Sequence, residues 1–105
     1  MQTVTMGIDI YKKKETKNRL FAISDSLFSH LEKSGIISEF EKMTGSFIDE
    51  YGTCQLSYQH AGSLFMLIKN KIEEKKIAKT KEVEQFIEFL AFSNKTEMDL
   101  DFIGD

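Results

Sequence analysis

TVTMGIDIY (residues 3–11) and TEMDLDFIGD (residues 96–105) stand at the two ends of the chain, and their reading decides the fold. In the first, Val4, Met6, Ile8 and Ile10 alternate with Thr5, Gly7, Asp9 and Tyr11; in the second, Met98, Leu100 and Phe102 alternate with Glu97, Asp99 and Asp101. A period of two belongs to a strand with one buried face, so both ends are predicted as strands. Register matters, because a slip of one residue turns every apolar side chain outward.

The segments between them repeat at helical spacing. After the basic corner of Lys12, Lys13 and Lys14, the residues Leu20, Ile23, Leu27 and Leu31 share one face, with Phe21 and Phe28 beside it. Gly35 occupies the position of a helix C-cap. Ser38 and Glu41 match a capping box, and Phe40, Met43, Phe47 and Tyr51 predict a second helix as far as Gly52. Gly45 inside it would cost about 1 kcal/mol relative to alanine. Cys54, Leu56 and Tyr58 alternate with Thr53, Gln55 and Ser57, which predicts a second strand or an extended connection. From Ala61, the positions Leu64, Phe65, Ile68 and Ile72 predict a third helix running into NKIEEKKIAKTK (residues 70–81). Val83, Phe86, Ile87 and Leu90 predict a fourth, with Glu82, Glu84 and Glu88 on its wet face. The expected fold is α+β: about four amphipathic helices packed on a small antiparallel sheet formed by the N- and C-terminal strands. The alternative is an all-α bundle with extended ends.

Composition bounds the function. A chain of 105 residues is one domain by size, covering residues 1–105, and 41% hydrophobic with 30% charged residues is an ordinary folding composition. The longest apolar runs, such as Leu64–Ile68 and Phe89–Phe92, fall far short of the roughly 20 residues that cross a bilayer. The N-terminus lacks the features of a secretory signal, so a cytosolic protein is expected with no membrane association. Cys54 is the only cysteine and His30 and His60 the only histidines, which excludes an internal disulfide and leaves a zinc site short of its usual ligands. No metal or cofactor is expected. The net charge of −3 argues against direct nucleic-acid binding, which rests on clustered lysine and arginine.

No motif names a reaction. Cys54 and His60 could form a thiolate pair, but a cysteine on the apolar face of a strand reads better as a small core residue, with His60 in the turn before the third helix. His30-Leu31-Glu32 contains the H-x-E of zinc deaminases without the P-C-x-x-C that accompanies it. Asp99, Asp101 and Gly104 match positions one, three and six of a calcium loop, but Ile103 offers no ligand at position five. Asn94-Lys95-Thr96 is a glycosylation sequon, relevant only after secretion. The adjacent pairs Asp49-Glu50 and Glu73-Glu74 do not share a helix face.

Charge placement says more. Residues 69–81 carry six lysines against two glutamates, a balance of +4, whereas residues 82–105 carry seven acidic residues against Lys95, a balance of −6. If the last segment is a strand, Glu97, Asp99 and Asp101 line its solvent face as a comb of carboxylates, extended by Asp105. Such a comb would dock a basic partner, or would guard a sheet edge against pairing with other chains. The Lys69–Lys81 stretch could instead make an adaptor for an acidic partner or RNA, or simply be a solvated helix end.

A short acidic chain opening with MGIDIY (residues 6–11), continuing through amphipathic helices and closing on TEMDLDFIGD, resembles the small immunity proteins of bacterial toxin systems, including those of contact-dependent growth inhibition. The resemblance is one of size, acidity and layout over the whole chain. It implies a non-catalytic inhibitor that binds a cognate toxin domain, often a nuclease, and blocks an essential surface. On that reading Glu97, Asp99, Asp101 and Asp105 are the partner-binding candidates. The competing readings are a small Cys54/His60 enzyme and a regulatory adaptor.

Overall fold

The structure, a computed structural model, describes residues 7–104. Its elements run β1 (Ile8–Lys12), β2 (Phe21–Ile23), α1 (Asp25–Lys33), α2 (Ile36–Thr44), β3 (Thr53–Leu56), α3 (Tyr58–Glu73), α4 (Lys81–Lys95) and β4 (Leu100–Gly104). The four strands form one antiparallel sheet in the order β2-β1-β4-β3, so the two ends of the chain lie side by side at its centre. This is the α+β fold expected. Val4, Met6 and Asp105 lie outside the described residues.

Both terminal strands put the expected face into the core. Ile8 and Ile10 of β1 and Leu100 and Phe102 of β4 are buried, with Ile10 directly opposite Phe102. The same sheet face takes Ile23, Cys54 and Leu56, and the helices add Leu27, Leu31, Phe40, Leu64, Ile68, Phe86 and Leu90. Phe21 stacks on Phe89 at 5.2 Å and meets Phe86 at 5.4 Å, tying β2 to α4.

Two segments depart from the sequence reading. Residues 20–23 are not the start of a helix: Phe21–Ile23 is a strand paired with β1, and α1 begins only after Ser24, whose hydroxyl accepts the Leu27 N–H. Ile23, Leu27 and Leu31 are all buried, so spacing of four concealed the change of element between the first and second. The second helix is also shorter than predicted. Gly45, at φ +79°, turns left-handed and donates its N–H to the Glu41 carbonyl, so it terminates α2 instead of weakening it from within. Phe47 and Tyr51 consequently sit outside any helix and remain exposed. No capping box forms at Ser38, which lies within α2. Gly35, with φ +85°, closes α1 and opens α2 together.

The segment from α2 to β3 runs back along the sheet. Ser46 lies beside Gln55, Leu56 and Ser57, and the Glu50 carbonyl packs against Gly104 so closely that a Cβ there would collide with it. The Gly104 N–H completes this crossing with a 2.7 Å bond to the Gly52 carbonyl.

Between α2 and α3, the buried Lys71 ammonium bonds the Glu39 carboxylate. That hydrogen bond and the lysine charge hold the Glu39 carboxyl below its ordinary value of 4.5 despite the opposing effect of burial. A carboxyl lowered on folding stabilises the fold fully above its unfolded value, and the contribution is lost as pH falls through the lower folded value. Urea midpoints measured through the acid range should therefore decline less steeply below pH 4.5 in Glu39→Gln than in the unaltered protein. Phe86→Ala, emptying a fully buried site, should lower the unfolding free energy by about 3–5 kcal/mol in the same titration.

Candidate functional site

The acidic comb does not form, and the reason is where β4 sits. A strand between β1 and β3 has neighbours on both sides, and its face away from the helices is crossed by the turn that follows β1. Asp101 points to that face but is only 8% exposed, and its Oδ2 accepts the Lys14 N–H at 3.1 Å. Lys14 adopts φ +67° to make this bond. The other oxygen, Oδ1, has no hydrogen-bond partner among the described residues.

Asp99 precedes β4 and is half-buried. Its Oδ1 accepts the Tyr58 N–H at 2.9 Å, so the carboxylate caps the first turn of α3, and its carbonyl accepts the Lys13 N–H. Glu97 alone of the three is exposed; it sits in the turn after α4 at φ +56°, with its N–H on the Asn94 carbonyl. Asp105 is outside the described residues. Two of the four candidate partner-binding carboxylates thus hold the fold together, joining the acidic C-terminal segment to the basic corner at Lys13 and Lys14. Alternation put Asp101 on the face away from the helices but could not show that a turn would cover it, and Asp99, placed by the same alternation on a strand, precedes β4 and caps α3.

Cys54 and His60 are not brought together. The Cys54 thiol is in the core, and burial pushes it up from its ordinary value, opposite to what a thiolate nucleophile requires. His60 meets the edge of Phe40 at 6.4 Å and lines a polar cleft of about 280 Å³ with Lys13, Ser46, Gln55 and Asp99. The Ser57 hydroxyl in that cleft already caps α3 through the His60 N–H. Among the described residues no group of three or more His, Cys, Asp or Glu side chains is placed to hold a metal ion, and no helix is long and apolar enough to cross a membrane.

The lysine-rich stretch is likewise divided. Lys71 is buried on Glu39, Lys76 pairs with Glu74, Lys79 with Glu84, and Lys69 lies over the Phe65 ring. No family model, curated protein or solved structure matches the chain. Its surface must be read on its own terms.

What that surface offers is apolar. Met43, Phe47, Tyr51 and Met66 are each at least half exposed, and all belong to α2, the segment after it, or α3. Met43 and Met66 line a groove of about 580 Å³ together with the buried Leu67 and the amides of Gln59, Asn70 and Asn94. Asn94 is held by its Nδ2–H bond to the Tyr58 carbonyl, and Glu97 stands one turn beyond it. The sequence signal for this groove was present at Met43, whose helical spacing assigned it to a core face. In the structure Met43 lies in the last turn of α2 and is exposed.

Substitution should separate the carboxylates. Glu97→Lys should change stability by no more than about 0.5 kcal/mol. Asp101→Lys, which removes the acceptor of the Lys14 N–H from a buried position, should cost about 1–3 kcal/mol in urea unfolding.

Proposed function

We propose that this protein is a non-catalytic inhibitor of the immunity type, acting in the cytosol by binding a basic toxin domain such as a nuclease and covering a surface that the toxin needs. The observation that carries this reading is the Met43–Met66 groove: exposed thioethers with buried Leu67 and three side-chain amides in its lining, that of Asn94 held by the Tyr58 carbonyl. Methionine and aromatic side chains are enriched at protein interfaces, and an exposed apolar patch in a small domain marks a contact surface. Glu97, in the turn after Asn94, and Glu41, on α2, are exposed and add negative charge that would steer a basic partner. Asp99 and Asp101 enter this reading as supports of the surface and not as its contacts. The buried thiol of Cys54 weighs against the competing enzyme, and the dispersed lysines weigh against an RNA adaptor.

The test is co-expression with the C-terminal domain encoded by the adjacent upstream reading frame, followed by purification of the complex and measurement of toxin activity. A stoichiometric complex with suppressed toxicity is expected. No complex at concentrations on the order of 10 μM would overturn the reading. Met66→Asp places a charge in the groove at an exposed position, so the fold should persist while affinity falls by about 2 kcal/mol or more, some thirtyfold, in titration calorimetry.

A further inference from the structure

The sheet has two edges, and they are not alike. β2 has three residues and is flanked by the Arg19–Asp9 ion pair and by the Ser24–Glu82 hydrogen bond. β3 has four, Thr53-Cys54-Gln55-Leu56, and among the described residues its only strand neighbour is β4. It contains no charge and no proline, the usual means of keeping an edge from pairing.

Register fixes which of its backbone groups face outward. The Gly104 N–H bonds the Gly52 carbonyl, and β3 pairs Cys54 with Phe102 and Leu56 with Leu100. In an antiparallel ladder hydrogen-bonded pairs alternate, so Gly52, Cys54 and Leu56 turn their N–H and C=O groups toward β4. Thr53 and Gln55 turn theirs to the open edge, and both side chains are exposed on the face away from the helices. No backbone hydrogen bond joins Thr53 or Gln55 to residues 46–50. Phe47 and Tyr51, 50% and 63% exposed, belong to the segment that leads into the strand.

We propose that β3 pairs with β3 of a second copy of this chain, antiparallel about a two-fold axis at Cys54. Thr53 then lies opposite Gln55 of the second copy and Gln55 opposite its Thr53, each pair exchanging N–H and C=O groups. This register satisfies both outward residues of the strand at once. The second copy fits because the edge is uncharged and matches itself under that rotation, so two acidic chains meet without opposing charges at the seam. The two sheets merge into one of eight strands. This inference is independent of the inhibitor reading, since it concerns the protein alone.

Sedimentation equilibrium of the full chain should give about twice the 12.1 kDa chain mass. Thr53→Lys with Gln55→Lys sets lysine against lysine across the axis and should give a monomer. Thr53→Lys with Gln55→Glu sets lysine against glutamate and should restore the dimer. Circular dichroism identical to that of the unaltered protein establishes that each variant is folded. A monomeric unaltered protein at about 100 μM, well above the dissociation constant of a specific dimer, would overturn the proposal. So would a dimer that persists with both lysines, or a folded Lys/Glu variant that stays monomeric.

Discussion

Pairing of β1 with β4 is the constraint on which the rest of the structure depends. It joins residues 8–12 to residues 100–104, so nearly the whole chain is the loop that this contact closes. Loop-closure entropy grows only with the logarithm of length, and burial of Ile8, Ile10, Leu100 and Phe102 on one face offsets it. Once the two ends are central, β2 and β3 have only the outer edges to occupy. The helices then fill the single apolar face, with α3 and α4 packed on one another. A fold whose central pairing is so non-local forms that contact late relative to its helices, because the entropy of closure precedes the reward.

The same pairing governs the electrostatics. It sets the basic corner after β1 beside the acidic end of the chain, and the contact is made through backbone: the Lys13 N–H on the Asp99 carbonyl and the Lys14 N–H on the Asp101 carboxylate. Carboxylates on a central strand are therefore bound up in folding. The lysine side chains stay in solvent while the acids are drawn inward, so the charge exposed at the surface differs from the charge that the sequence displays. Lys71 follows the same logic at the α2–α3 contact, where Glu39 compensates a buried ammonium.

The exposed apolar groups are those that the core does not use. Gly45 ends α2 before Phe47 and Tyr51 can join a buried face, and Met43 and Met66 line an open groove. The β3 edge is the other unsatisfied feature, since Thr53 and Gln55 keep backbone donors and acceptors directed outward. Both surfaces suit binding to another chain, and neither holds a reactive group: the thiol of Cys54 is buried on the opposite face of the strand from Thr53 and Gln55.

Period-two alternation in residues 8–12 and 100–104 determined the terminal strands and their buried faces, because one pleat places alternate side chains on one side whatever surrounds it. Helical spacing likewise located Leu64, Ile68, Phe86 and Leu90 in the core, and alternation put Cys54 on the apolar face of its strand. Where elements begin and end was decided by tertiary structure. Ile23 fits the spacing of Leu27 and Leu31, yet pairing with Ile8 makes it a strand residue; Phe47 fits that of Phe40 and Met43, yet Gly45 in the left-handed region stops the helix first. Alternation put Asp101 on the face away from the helices correctly. Only the folded turn at Lys14 made that face an interior, because exposure depends on what the rest of the chain lays over a residue and local periodicity carries no record of it.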